Sequence, residues 1–118
     1  MFYTECDGNS YPAQKRVRRV DGRNVTTWTR EITSANILEA EAGTNGYQGG
    51  DSGHGSRTFL RVKNLACTDL RCRVKAGGFP GGADEVEIVL GGDTELETIK
   101  EALRWMLSVL EIQSETEG

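Results

Sequence analysis

The densest chemistry in the chain lies between residues 45 and 58. There Asn45-Gly46-Tyr47-Gln48-Gly49-Gly50-Asp51-Ser52-Gly53-His54-Gly55-Ser56-Arg57-Thr58 sets glycines around a carboxylate, two serine hydroxyls, the single histidine of the chain and a guanidinium. The string Gly50-Asp51-Ser52-Gly53 has the look of a nucleophilic-serine motif. Such a serine needs a histidine and an aspartate upstream, whereas His54 follows Ser52 by two residues and is too close to fold back as its base. No G-x-S-x-G elbow is present either. A metal site would have to gather His54, Cys6, Cys67 and Cys72 from distant segments, and Cys67 and Cys72 are separated by a predicted strand rather than a knuckle. Neither hydrolysis, nor a metal, nor a cofactor is expected.

What remains is binding. A run of glycines costs backbone entropy on folding, and something must offset it. Without a Cβ the backbone can approach a ligand closely, so that successive N–H groups converge on phosphate oxygens as a nest. Asp51, Gly53, His54, Gly55, Ser56 and Arg57 are therefore the candidate ligand-binding residues, with Arg57 supplying the charge. The segment is not a Walker loop, because no Lys-Ser or Lys-Thr follows, and not a dinucleotide fingerprint. The competing reading is a surface Ω-loop or a subunit contact that needs small residues. A second cluster, Gly77-Gly78-Phe79-Pro80-Gly81-Gly82, raises Phe79 on a tip suited to covering a planar ligand or a neighbouring subunit, or forming an ordinary packed turn.

These loops need a frame. Residues 1–23 read as an N-terminal arm or first hairpin, carrying the basic run Lys15-Arg16-Val17-Arg18-Arg19 as a solvated edge before the turn Asp21-Gly22. Residues 24–91 read as an antiparallel sheet with glycine-rich loops at 43–55 and 77–82. Within it, NVTTWTREIT, NILEAEA, RTFLRVKN, TDLRCRVK and DEVEIVL are about five strands, the third and fourth forming a hairpin. Parity puts Leu60, Val62, Leu70, Cys72 and Val74 on the core side, and Arg57, Phe59, Arg61, Lys63, Arg71, Arg73 and Lys75 on the other. That basic stripe either holds an anion or pairs with Glu39, Glu41, Glu85 and Glu87; pairing is the preferred reading.

Gly91-Gly92-Asp93 then opens a helix over 93–113, with Thr94 and Glu97 spaced as a capping box. Leu96, Ile99, Leu103, Met106, Leu107 and Leu110 form an apolar stripe predicted to lie on the sheet. Trp105, beside Arg104, falls off that stripe, which implies a second buried face and a homo-oligomer. The fold class expected is α+β, one domain over 1–118, an antiparallel sheet of about five strands with a C-terminal amphipathic helix packed on it.

Composition narrows the partners. With 14 Lys plus Arg against 18 Asp plus Glu, the net charge of −4 disfavours a general grip on duplex nucleic acid, so an anion must be held locally. No run approaches the roughly 18 apolar residues of a membrane span, and no secretory leader pattern opens the chain. An intracellular protein without membrane partners and with reduced cysteines is expected.

The run EAEAGTNGYQGGDSGHGSRTFLRV, the following DLRCRV and the ending EVEIVLGGDTELETIKEALRWMLSVLE are similar to a group of small phage and prophage proteins. Through the glycine segment ending Gly53-His54-Gly55-Ser56-Arg57-Thr58 and the Gly91-Gly92-Asp93 that opens the helix, the chain resembles the first Thoeris anti-defence sponge family over roughly residues 35 to 112. The resemblance implies a non-enzymatic oligomer in the cytoplasm of an infected bacterial host that captures a cyclic nucleotide immune signal. The signal implied is cyclised ADP-ribose, and for some members cyclic oligonucleotides. It carries over Gly55 and Arg57 as phosphate contacts. Phe79 is a stacking candidate by its loop context, and Arg30 and Arg104 are candidates for a second pocket at a subunit interface. The alternatives are a phage inhibitor acting by direct protein contact, such as an anti-CRISPR protein, and an assembly protein whose glycines serve subunit packing.

Overall fold

A computed structural model describes residues 13–33, 37–49, 55–66 and 68–115. The fold is α+β, with antiparallel strands followed by a C-terminal helix. Among the described residues there are six strands in two sheets, not about five in one. Strands β1 (Gln14–Val20), β2 (Arg23–Ile32), β3 (Ile37–Thr44) and β4 (Thr58–Ala66) form a meander in the order β1-β2-β3-β4, while β5 (Leu70–Ala76) and β6 (Ala83–Leu90) make a separate hairpin. Helix α1 spans Asp93–Glu115.

The first turn is set by residue type. Asp21 and Gly22 both take positive φ, 52° and 78°, a backbone twist that matches the right-handed twist of the flanking strands. Along β2 and β3 the period of two separates the faces. Trp28, Arg30 and Ile32 stand opposite Ala42, Ala40 and Leu38, which in turn stand opposite Leu60, Val62 and Asn64, and this is the side the helix covers. The core is Ile32, Leu38, Ala40 and Ala42 against Ala102, Trp105, Met106 and Val109. The reverse side carries Thr27, Thr29, Glu41, Phe59 and Arg61.

Three sequence expectations are corrected. The apolar stripe lies on the sheet only in part: α1 buries Glu95, Thr98, Ala102, Trp105, Met106 and Val109, with Ile99 and Leu110 packed against that core, while Leu96, Leu103 and Leu107 stay more than half exposed. Trp105 and Met106 share one core cluster with the small Ala40 and Ala42, and the buried face of the helix is rolled by roughly a quarter turn from the leucine register. Second, β4 and β5 do not form a hairpin; β4 pairs with β3 and β5 with β6. Asn64 turns the chain, its Nδ2 donating to Thr68 O at 2.9 Å and its Oδ1 accepting from Thr68 N at 3.3 Å. Glu95 then accepts from Asp69 N at 3.1 Å, tying this connection to the start of α1. Cys72 and Val74 are consequently exposed rather than part of the core. Third, the Thr94 and Glu97 capping box does not form. Thr94 Oγ1 donates to Glu95 at 2.9 Å and Glu97 sits beside Lys100. The Asp69 N–H and the Thr94 hydroxyl hold the Glu95 carboxyl below its usual range.

At its far end α1 is fastened by one side chain. Gln113 Oε1 accepts from Thr44 N at 2.8 Å and Gln113 Nε2 donates to Thr26 O at 2.9 Å. Among the described residues no helix is long and apolar enough to cross a membrane.

Close approach of β2 and β3 depends on Gly43, where a Cβ would fall 2.6 Å from Thr27 Cα and 2.7 Å from its Cγ2. Gly43→Ala should force the strands apart and cost about 1 to 3 kcal/mol. A urea titration showing an unchanged midpoint and slope would refute this packing constraint.

Candidate functional site

Asp51, Gly53 and His54 lie outside the described residues, as do Cys6 and Cys67. The two flanks of the glycine segment are described, and Asn45 clamps them together. Its N–H donates to Arg57 O at 3.2 Å, its Oδ1 accepts from Arg57 N at 2.7 Å, and its Nδ2 donates to Gly55 O at 3.4 Å. Thr44 Oγ1 donates to Arg57 O at 3.1 Å, accepts from Gly46 N at 3.1 Å and receives the Thr58 hydroxyl at 3.0 Å. Gly46 and Gly49 take positive φ, and at Gly55 a Cβ would crowd Gln48 Cβ at 2.8 Å. The glycines thus serve a closed, narrow loop root.

At this root lies a cleft of about 270 Å3, lined by Thr44, Gly46, Tyr47, Ser56, Thr58, Leu110, Glu111 and Ser114. Of the residues named from sequence, Ser56 lines it. Arg57 is close by in the chain, but its Nε donates to Asp21 Oδ2 at 2.8 Å and its NH1 to Ser56 O at 2.8 Å, so its charge is partnered by the β1–β2 turn. Phe79 is 70% exposed at the tip of the β5–β6 hairpin, with its ring over Gly82. Arg30 is buried on the helix-facing side of β2, bonded to Glu101 at 3.1 Å and 5.9 Å from the Trp105 ring centroid. Arg104 is exposed on α1. Arg30, Phe79 and Arg104 belong to three different parts of the fold, and none of them lines the cleft.

The cleft holds residues that sequence reasoning missed. Tyr47, 79% exposed, is the one aromatic residue within 45–58, and that was a usable signal. Leu110, Glu111 and Ser114 come from the last turns of α1, which Gln113 brings to the end of β3, a join that no local spacing reveals. Chemically the cleft is lined by a phenol ring, four aliphatic hydroxyl side chains and one carboxylate. An aromatic ring stacks on a planar base, and a carboxylate accepts from paired hydroxyls such as those of a ribose. No group of three or more metal-ligating side chains occurs among the described residues.

The basic stripe is engaged by acids. Arg61 bonds Glu39 and Glu41, Arg73 bonds Glu87, and Arg71 lies 3.2 Å from Asp69. Glu41, fully buried, also receives Arg18 at 2.6 and 2.7 Å and the Thr27 hydroxyl at 2.5 Å. Burial pushes its carboxyl up, but the hydrogen bonds from Arg18, Thr27 and Arg61 outweigh that and hold it down to about 2. A carboxylate with a lowered native pKa contributes stability that is complete above its unfolded value of 4.5 and is lost as pH falls toward about 2. Glu41→Gln should cost about 3 kcal/mol near neutrality and flatten the acid limb of the stability curve. Parallel acid limbs for the two proteins in urea melts between pH 5 and 2 would contradict the assignment.

No protein-family model, curated protein or solved structure matches the chain.

Proposed function

We propose that the protein is a non-catalytic binder of a small nucleotide, held in the cleft at the root of the glycine segment. The observation that carries this reading is the cleft itself, about 270 Å3 lined by Tyr47, Thr44, Ser56, Thr58, Ser114 and Glu111. That volume suits a base with its ribose and lies just below the usual range for whole-ligand pockets. Tyr47 stacks on the base, Glu111 accepts from the ribose hydroxyls, and phosphates fall toward the glycine segment and Arg57.

In line with the family resemblance, the ligand is a cyclic nucleotide of the cyclised ADP-ribose type. The protein acts in the host cytoplasm by sequestering it from a defence effector. Binding without turnover fits the chemistry of the cleft, where Glu111 is the sole carboxylate and no histidine, cysteine or lysine stands among the described lining residues.

Calorimetry against cyclised ADP-ribose isomers and cyclic di- and trinucleotides, followed by heat release and mass spectrometry, tests this directly. Intact ligand should be recovered; a cleaved one would make the protein an enzyme. Tyr47→Ala should lose about 1 to 3 kcal/mol of stacking, a weakening of roughly 5- to 150-fold. Arg57→Ala should lose about 1.5 to 3 kcal/mol if its guanidinium leaves Asp21 for a phosphate. Unchanged affinity in both variants would place the ligand elsewhere.

A further inference from the structure

The basic run of the N-terminal region forms the outer strand of the larger sheet. β1 pairs with β2 on one side, and among the described residues no strand pairs with its other edge. Alternate residues of such an edge turn their N–H and C=O groups outward, where a further strand could take them. Edges of this kind are commonly blunted by a proline, a bulge or a covering element. β1 contains no proline, and its seven pairs with β2 run without a register shift. Charge alone guards it.

That charge has one sign. The hairpin from Gln14 to Ile32 holds six of the 14 Lys and Arg of the chain but two of its 18 Asp and Glu, so a basic element stands in an acidic protein. Register against β2 divides the cations between the two sides of the strand. Lys15, Val17 and Arg19 share the side of Trp28, toward α1, while Arg16 and Arg18 share the side of Thr27. Lys15, Arg16, Val17 and Arg19 are all exposed, Val17 to 60%. Arg18 is held by Glu41, and Arg19 donates to Asn24 Oδ1 at 2.8 Å. Lys15 and Arg16 have no acid within ion-pair distance among the described residues.

We propose that this edge takes an acidic peptide segment of another protein as an added, extended strand. Main-chain bonds to β1 hold the segment in place, and its side chains read the cations. Residues two apart lie about 7 Å from each other along both strands, so carboxylates at alternate positions stay in step with Lys15 and Arg19 on one side. On the other side a carboxylate meets Arg16. An apolar residue opposite Val17 completes the contact, which gives the segment a pattern of acids around one central aliphatic side chain.

Charge and chemistry set this occupant above three others. A second β1 would place arginine against arginine. The acids of β6 are already matched, Glu87 bonding Arg73 and Glu85 standing opposite Lys75. A single-stranded nucleic acid needs aromatic faces for its bases, and those nearby are taken: Trp28 packs against the core, and Phe59 lies under the Arg18 guanidinium, 5.1 Å from its ring centroid. No residue of β1 lines the cleft, so the proposal does not depend on the nucleotide reading.

The test is fluorescence anisotropy of a labelled ten-residue peptide, a central valine flanked by glutamates, titrated with the full chain at low salt. Saturable binding is expected below about 100 µM, weakening severalfold as added salt screens the pairs. Lys15→Glu and Arg16→Glu, both at exposed positions and with unchanged circular dichroism, should each weaken it by at least roughly threefold. Peptides N-methylated on one or the other alternate set of amides separate strand addition from attraction by charge alone: one set should lose binding and the other keep it. No binding by the peptide, equal affinity for the two methylated sets, affinity unchanged in both charge reversals, or tighter binding of a thymidine oligonucleotide of the same charge would each overturn the proposal.

Discussion

The packing of Ala102, Trp105, Met106 and Val109 of α1 with Ile32, Leu38, Ala40 and Ala42 of the sheet is the contact from which the rest of the architecture follows. Small alanines on the strand side leave room for a large indole and a methionine on the helix side of the same core. That contact fixes the roll of α1. The roll aims Gln113 at the end of β3, sets Leu110 and Glu111 over the glycine segment, and turns Leu96, Leu103 and Leu107 outward. Cleft and exposed leucines are thus two results of a single packing choice.

The opposite side of the four-stranded sheet is organised by charge. Glu41 is buried between Arg18 and Arg61, with Thr27 completing its hydrogen bonds. A buried ion pair of this kind adds little net stability relative to a well-packed apolar alternative, because desolvation offsets much of the attraction. It does penalise wrong registers heavily. Sliding β3 by one residue would carry Glu41 to the helix side and leave two arginines without their acid. In a sheet whose central strand carries alanine and glycine, with little side-chain bulk to define register, the acid and its two arginines supply that definition.

Much of this was legible in the sequence, and the parts that were not share a cause. Alternation in NILEAEA separates Leu38, Ala40 and Ala42 from Glu39 and Glu41, and the opposite charges of Glu39, Glu41 and Arg61 indicated cross-strand pairing. Both are properties of neighbours on a pleated strand. Helix α1 was equally plain from its period. Its buried face was legible only in Ile99, Met106 and Leu110, because leucines outweigh alanine and threonine on any hydrophobicity scale, while the core selected for shape. The partner of β5 was missed because Asn64 and Glu95 redirect the chain through side-chain bonds that no local propensity encodes. The cleft shares this limit. Tyr47 and Ser56 were visible in the glycine segment, but the helix end opposite them arrives only through Gln113.

The meander has a kinetic corollary. Each strand of the larger sheet pairs with its sequence neighbour, so no loop that must close is longer than residues 45–57 and the sheet can assemble while contacts remain local. Only the last element reaches back: the bond from Gln113 to Thr26 spans 87 residues. As the chain leaves the ribosome, the four strands can be complete while Ile32, Leu38 and Ala40 still face water. The apolar side of that sheet then waits uncovered until the final helix emerges, and in that interval the nascent protein is open to the wrong partner.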